Sequence, residues 1–87
     1  MKHPETVEKY QGTLEQLAQE VSNLRYDSLA HFVYCLSENL YRQATEDYVN
    51  DRFKLGESLT EAKNRLDFAS MYLKKAWNIC KPYMKEE

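Results

Sequence analysis

The reach from Asp27 to Leu55 contains neither glycine nor proline and includes a dense apolar run, Leu29-Ala30-His31-Phe32-Val33-Tyr34-Cys35-Leu36. It far exceeds the roughly 4–8 residues after which a strand normally turns, so a helix is what it can sustain. At 100° per residue, Leu29, Phe32, Val33, Leu36, Leu40 and Ala44 share one face. Beside them Tyr34, Tyr41, Tyr48 and Leu55 recur every seven residues. Together the two lines span about 200° of the circumference, where a surface helix needs only about 100° to meet one core. Such a helix must be covered from two sides.

Asp27 and Ser28 are both good N-caps for its start. Arg52 and Lys54 would fall in its last turn with Gly56 just beyond, an order that suits a helix C-terminus. The pattern therefore predicts a helix over 28–55, about 42 Å long.

Upstream, Pro4 and Glu5 suit a first helical turn. Val7, Tyr10, Leu14, Leu17, Val21 and Leu24 then step by threes and fours as a heptad seam. Its arc is only about 100–120°, enough for one contact surface. Thr13-Leu14-Glu15-Gln16 matches a capping box and offers a second start at Thr13. The unbroken seam across Gly12 favours a single helix over 4–24. Ser22 to Ser28 is rich in cap and turn formers, so the first two helices should be antiparallel neighbours.

Downstream, Ser58-Leu59-Thr60-Glu61 reads as another capping box, opening a third helix over 58–81. Leu59, Ala62, Leu66, Ala69, Leu73, Ala76 and Cys80 form its seam, and the alternation of large and small residues permits close approach to a partner. Phe68, Tyr72 and Ile79 widen its apolar arc to about 180°. Pro82 closes it, leaving Tyr83 to Glu87 as a short tail.

The expected architecture is a single all-α domain over 1–87, a three-helix up-down-up antiparallel bundle. One narrow and two wide helices do not balance, however. The hairpins of helices two and three from two chains are therefore expected to pair into a four-helix core, with helix one flanking, as a C2 homodimer. So small a domain also gains from oligomerisation.

Composition limits the function classes. With 87 residues, two glycines, two prolines and 30% charged residues, the chain suits a helical protein. A net charge of −2, with basic residues scattered, provides no field for nucleic acid or an anionic membrane. No apolar run approaches the roughly 20 residues of a membrane span. The segment Met1 to Thr6 lacks the apolar stretch of a signal peptide, so a cytosolic protein is expected. In that setting Cys35 and Cys80 read as small buried hydrophobes rather than a disulfide.

Three constellations invite a chemical reading. Asp27, His31, Cys35 and Glu38 lie on the back of the second helix with residue types that bind divalent metal. No second ligand pair such as Glu-x-x-His stands on another helix to complete a bundle site. His31 alone suggests phosphotransfer bundles, but Phe32-Val33-Tyr34 beside it offer no charge to hold a phosphoryl group. Glu46, Asp47, Asn50, Asp51, Glu57 and Glu61 form an acidic cluster. Its Asp47/Asp51 and Glu57/Glu61 pairs are spaced by four. Helical nucleotide pyrophosphatases hold magnesium with pairs spaced by three.

Tyrosine is the commoner signal, with seven in the chain. Its rings combine an apolar body with a polar tip, a type enriched at protein interfaces. The expected interface residues are Tyr34, Tyr41, Tyr48, Leu55, Phe68, Tyr72, Trp77 and Ile79. If the tyrosine line stays open after self-association, it is the expected docking place for another protein. The reading is of a self-associating interaction module without catalysis or cofactor. The rival is a helical-bundle enzyme or metal binder using Asp47, Asp51, Glu57 or His31.

Overall fold

A computed structural model of the chain describes residues 3–84. No strand occurs among them. Three α-helices follow in order, α1 (Leu14–Ser22), α2 (Tyr26–Val49) and α3 (Phe53–Cys80), with a 3-10 turn at Lys81–Tyr83. Residues 85–87 of the expected tail lie outside the described range. α2 and α3 pack closely along one another, whereas α1 has no comparable contact with either.

Small residues make the hairpin close. On α2 the buried positions are Ala30, Ser37, Ala44 and Asp47, and on α3 they are Gly56 and Ser70. Ser70 Oγ donates to the Ala30 carbonyl, Ser37 Oγ lies 2.6 Å from Asp67 Oδ1, and the Ala44 carbonyl faces Gly56. Each advance of seven along α2 thus meets a retreat along α3, so the two helices are antiparallel. The seam of α3 is the line Gly56, Lys63, Ser70 and Trp77, flanked by Leu59, Leu66, Leu73 and Cys80. The expected seam contained the second line but paired it with Ala62, Ala69 and Ala76. The real contact is rotated to a line on which Gly56 and Ser70, the buried positions of α3, let the two backbones approach closely.

The α2–α3 connection also differs from expectation. The second helix ends at Val49 rather than at 55, and Asn50 to Arg52 make the turn. Asp51 takes φ 61°, the left-handed region that aspartate tolerates better than most side chains. The Asp51 amide bonds the Tyr48 carbonyl at 3.1 Å, and the Arg52 amide bonds the Asp47 carbonyl at 2.8 Å. Gly56, expected to end a helix, lies inside α3. A Cβ there would sit 3.0 Å from the Tyr48 ring and 3.2 Å from the Ala44 carbonyl oxygen. The glycine serves close approach, not termination. The box expected at Ser58 is absent for the same reason: it falls mid-helix, where Thr60 Oγ1 donates to the Gly56 carbonyl at 2.8 Å.

α2 begins at Tyr26, earlier than expected. Asp27 lies in its first turn instead of capping it, and its carboxylate accepts two bonds from the Arg25 guanidinium at 2.7 and 2.8 Å. Those bonds, above all, hold the Asp27 carboxyl below its ordinary pKa.

α1 is nine residues long, not the helix over 4–24 that the heptad seam implied. Thr13 is its N-cap, and the capping box is complete: the Gln16 amide bonds Thr13 Oγ1 at 3.0 Å, and the Thr13 amide bonds Gln16 Oε1 at 2.7 Å. Two orphan donors satisfied at Thr13, directly after Gly12, outweigh continuation of a narrow apolar line. With α1 so short, the expected bundle of three long helices is not formed.

The result is an extended molecule. Its radius of gyration is 15.7 Å, against about 12 Å for a compact domain of this length. The only buried hydrophobic residues among those described are Ala30 and Ala44.

Candidate interaction surface

A two-helix layer has two faces, and here they differ in chemistry. Turning from the Ala30, Ser37 and Ala44 line by helical steps places Val33, Leu40 and Asp47 on one side and Tyr34, Tyr41 and Tyr48 on the other. On α3 the same construction separates Leu59, Leu66, Leu73 and Cys80 from Thr60, Asp67 and Lys74. The Ser37–Asp67 bond and the position of Lys63 Nζ, 5.3 Å from the centre of the Tyr41 ring, put the tyrosines and Asp67 on the same face.

The tyrosine face is polar beneath its rings. Ser37 Oγ lies 2.8 Å from the Tyr34 carbonyl and 2.6 Å from Asp67 Oδ1, so its one proton serves either acceptor. Lys63 Nζ stands 2.6 Å from Asp67 Oδ2. The Lys63 bond, and then the Ser37 bond, hold the Asp67 carboxyl below its ordinary pKa, and Asp67 in turn raises that of Lys63. Tyr48 leans over Gly56 and meets Phe53 with ring centres 6.3 Å apart. Asp27, His31 and Glu38 continue this face along α2.

The opposite face is apolar throughout its middle. Leu29, Val33, Leu36 and Leu40 from α2 run beside Leu55, Leu59, Ala62, Leu66, Ala69, Leu73 and Ala76 from α3. Leu36, Leu55 and Ala69 are exposed and the others are half-buried. Gln43 lies at its edge, and the carboxylate of Asp47 is already occupied by Arg52 Nε at 2.8 Å.

The eight expected interface residues therefore do not form one surface. Tyr34, Tyr41 and Tyr48 mark the polar face, Leu55 belongs to the leucine face, and Tyr72 and Ile79 stand at its outer edge on α3. Phe68 projects from the side of α3 away from α2. All seven are exposed, Ile79 most at 73%. Trp77 is half-buried at the end of the seam, with the Arg25 guanidinium 5.0 Å over its ring. Apart from Leu55, the leucines of the second face are not among the expected interface residues, because the sequence pattern assigns their heptad lines to the inside of the subunit. That they are left only half covered follows from the position of the small-residue seam.

The acidic residues do not converge. Asp47 is buried against Arg52, and Glu61 pairs with Arg65 at 3.5 Å. Among the described residues no group of three or more His, Cys, Asp or Glu side chains is placed to hold a metal ion. His31 Nε2 lies 3.5 Å from Cys35 Sγ. Cys35 is exposed rather than buried as expected, Cys80 is half-buried, and both are free thiols. No helix of the described residues is long and apolar enough to cross a membrane. No protein-family model, curated protein or solved structure matches the chain.

Proposed function

We propose that this protein is a self-associating interaction module that works through protein–protein contact and not through catalysis. One observation carries the reading. The chain exposes 7509 Å², whereas a compact monomer of 10.4 kDa exposes about 5,400 Å², an excess of about 2,100 Å². A standard interface takes about 800 Å² from each partner, and obligate homodimers take more. The excess fits an assembly in which hairpins from two chains form a four-helix core with α1 flanking. Leu55, Tyr72 and Ile79 serve the contact between copies, while Trp77 closes the seam within each chain and Phe68 stays outside the contact. Tyr34, Tyr41 and Tyr48 remain outward to receive another protein. A cytosolic setting belongs to this reading and is supported by the two free thiols. Sedimentation equilibrium at micromolar concentration should return twice 10.4 kDa; a mass of 10.4 kDa ends the proposal.

A further inference from the structure

We infer that the leucine face is where two copies of this chain meet, about a two-fold axis passing beside Leu36; this rests on the self-association proposed above. The excess of about 2,100 Å² is more than one partner gives to a standard interface, and chemistry selects the face. Closing the tyrosine face against its own copy would bury Asp27, His31, Glu38, Asp67 and Lys74, with desolvation costs that the existing pairs do not offset. Closing the leucine face buries aliphatic side chains.

The face is also self-complementary. An isologous contact requires that when residue i meets residue j of the copy, j meets i in return. The hairpin register, with Ala30 at Ser70 and Ala44 at Gly56, sets Leu36 level with Asn64. A copy turned end over end about an axis at that level brings Leu59 to Ala69 and Leu66 to Ala62, large against small each time. Leu55 then reaches Leu73, and Leu36 reaches its own mate. The axis lies near the middle of α2, so α2 stacks along nearly its whole length on α2 of the copy. Stacked helices run antiparallel, which opposes their dipoles. The same axis serves both helices, although the register within the hairpin and the leucine–alanine matches are independent features.

The test uses the full chain with Cys35 and Cys80 changed to serine. Oxidation of a Leu36→Cys variant should give a covalent dimer, and a Tyr41→Cys variant should give none. In the wild-type background Leu36→Glu, at a position 43% exposed in the single chain, should weaken the dimer by about 100-fold or more, while Tyr41→Glu leaves it intact. Dissociation by Tyr41→Glu but not by Leu36→Glu would overturn the inference while leaving self-association standing. Two dimeric variants with no cross-link through Leu36→Cys would do the same. A monomeric wild type removes both claims. Should circular dichroism show Leu36→Glu unfolded, the cross-link alone decides.

Discussion

Ser70 reaches across the hairpin and donates a hydrogen bond from its hydroxyl to the carbonyl oxygen of Ala30 at 2.7 Å. The acceptor is a helix carbonyl, so this bond is additional to the backbone ladder. A side chain as short as serine bridges the helices only because alanine opposes it. The contact records both the register of the hairpin and the closeness of its two backbones.

Gly56 should be intolerant of bulk. A valine there would press its branches toward the Ala44 carbonyl and the Tyr48 ring, where even a Cβ lies at 3.0–3.2 Å. Gly56→Val is expected to destabilise the protein by about 1–3 kcal/mol in urea unfolding, although valine is the better helix former.

Asp51 sits at φ 61°, where any Cβ costs energy and glycine has none. Asp51→Gly should therefore stabilise the protein by about 0.5–1 kcal/mol, the relief of backbone strain exceeding the extra flexibility of the unfolded chain. The urea midpoint should rise with an unchanged slope.

Thr13→Ala should act locally. Losing the cap costs a short helix about 1 kcal/mol, but α1 packs little on the hairpin. Hydrogen exchange at Leu17 and Ala18 should accelerate several-fold, with the urea midpoint of α2 and α3 unmoved.

The Ser37–Asp67–Lys63 cluster predicts the shape of the pH profile. Asp67 has its folded pKa depressed, so its stabilising contribution is full above the unfolded value of about 3.9 and fades as pH falls through the folded one. Lys63 is raised, so its contribution is full below about 10.4 and fades as pH climbs through its folded value. Asp67→Asn should flatten the acid limb of a stability–pH curve measured by urea titration. An unchanged acid limb would show that the cluster contributes nothing.

Helicity was legible from periodicity alone, and so was the line Leu59, Leu66, Leu73 and Cys80. What periodicity could not assign was the partner of each stripe. α2 and α3 each carry several seven-residue lines, and hydrophobicity favours the bulky ones. The hairpin closes instead on Ala30, Ser37, Ala44, Gly56 and Ser70, because backbone approach is governed by size. Gly56 is ambiguous in the same way, since helix-ending and close-packing glycines look alike in a sequence. The adjacent Asn50 and Asp51, both tolerant of left-handed backbone, were the available signal for the turn. Near the N-terminus the sequence carries both the box at Thr13 and a regular apolar line running through it, and the box prevails. The expected interface residues are large and mostly aromatic, and most are exposed. Which of them share a face depends on the seam, and periodicity alone does not locate it.

Two helices joined through alanine, serine and glycine separate at little hydrophobic cost, so in the proposed assembly the fold of each subunit leans on its neighbour. Persistence then follows abundance: the melting midpoint climbs with protein concentration, and a dilute preparation yields early to proteases. For such a protein, how much of it is present and how long it lasts are one question.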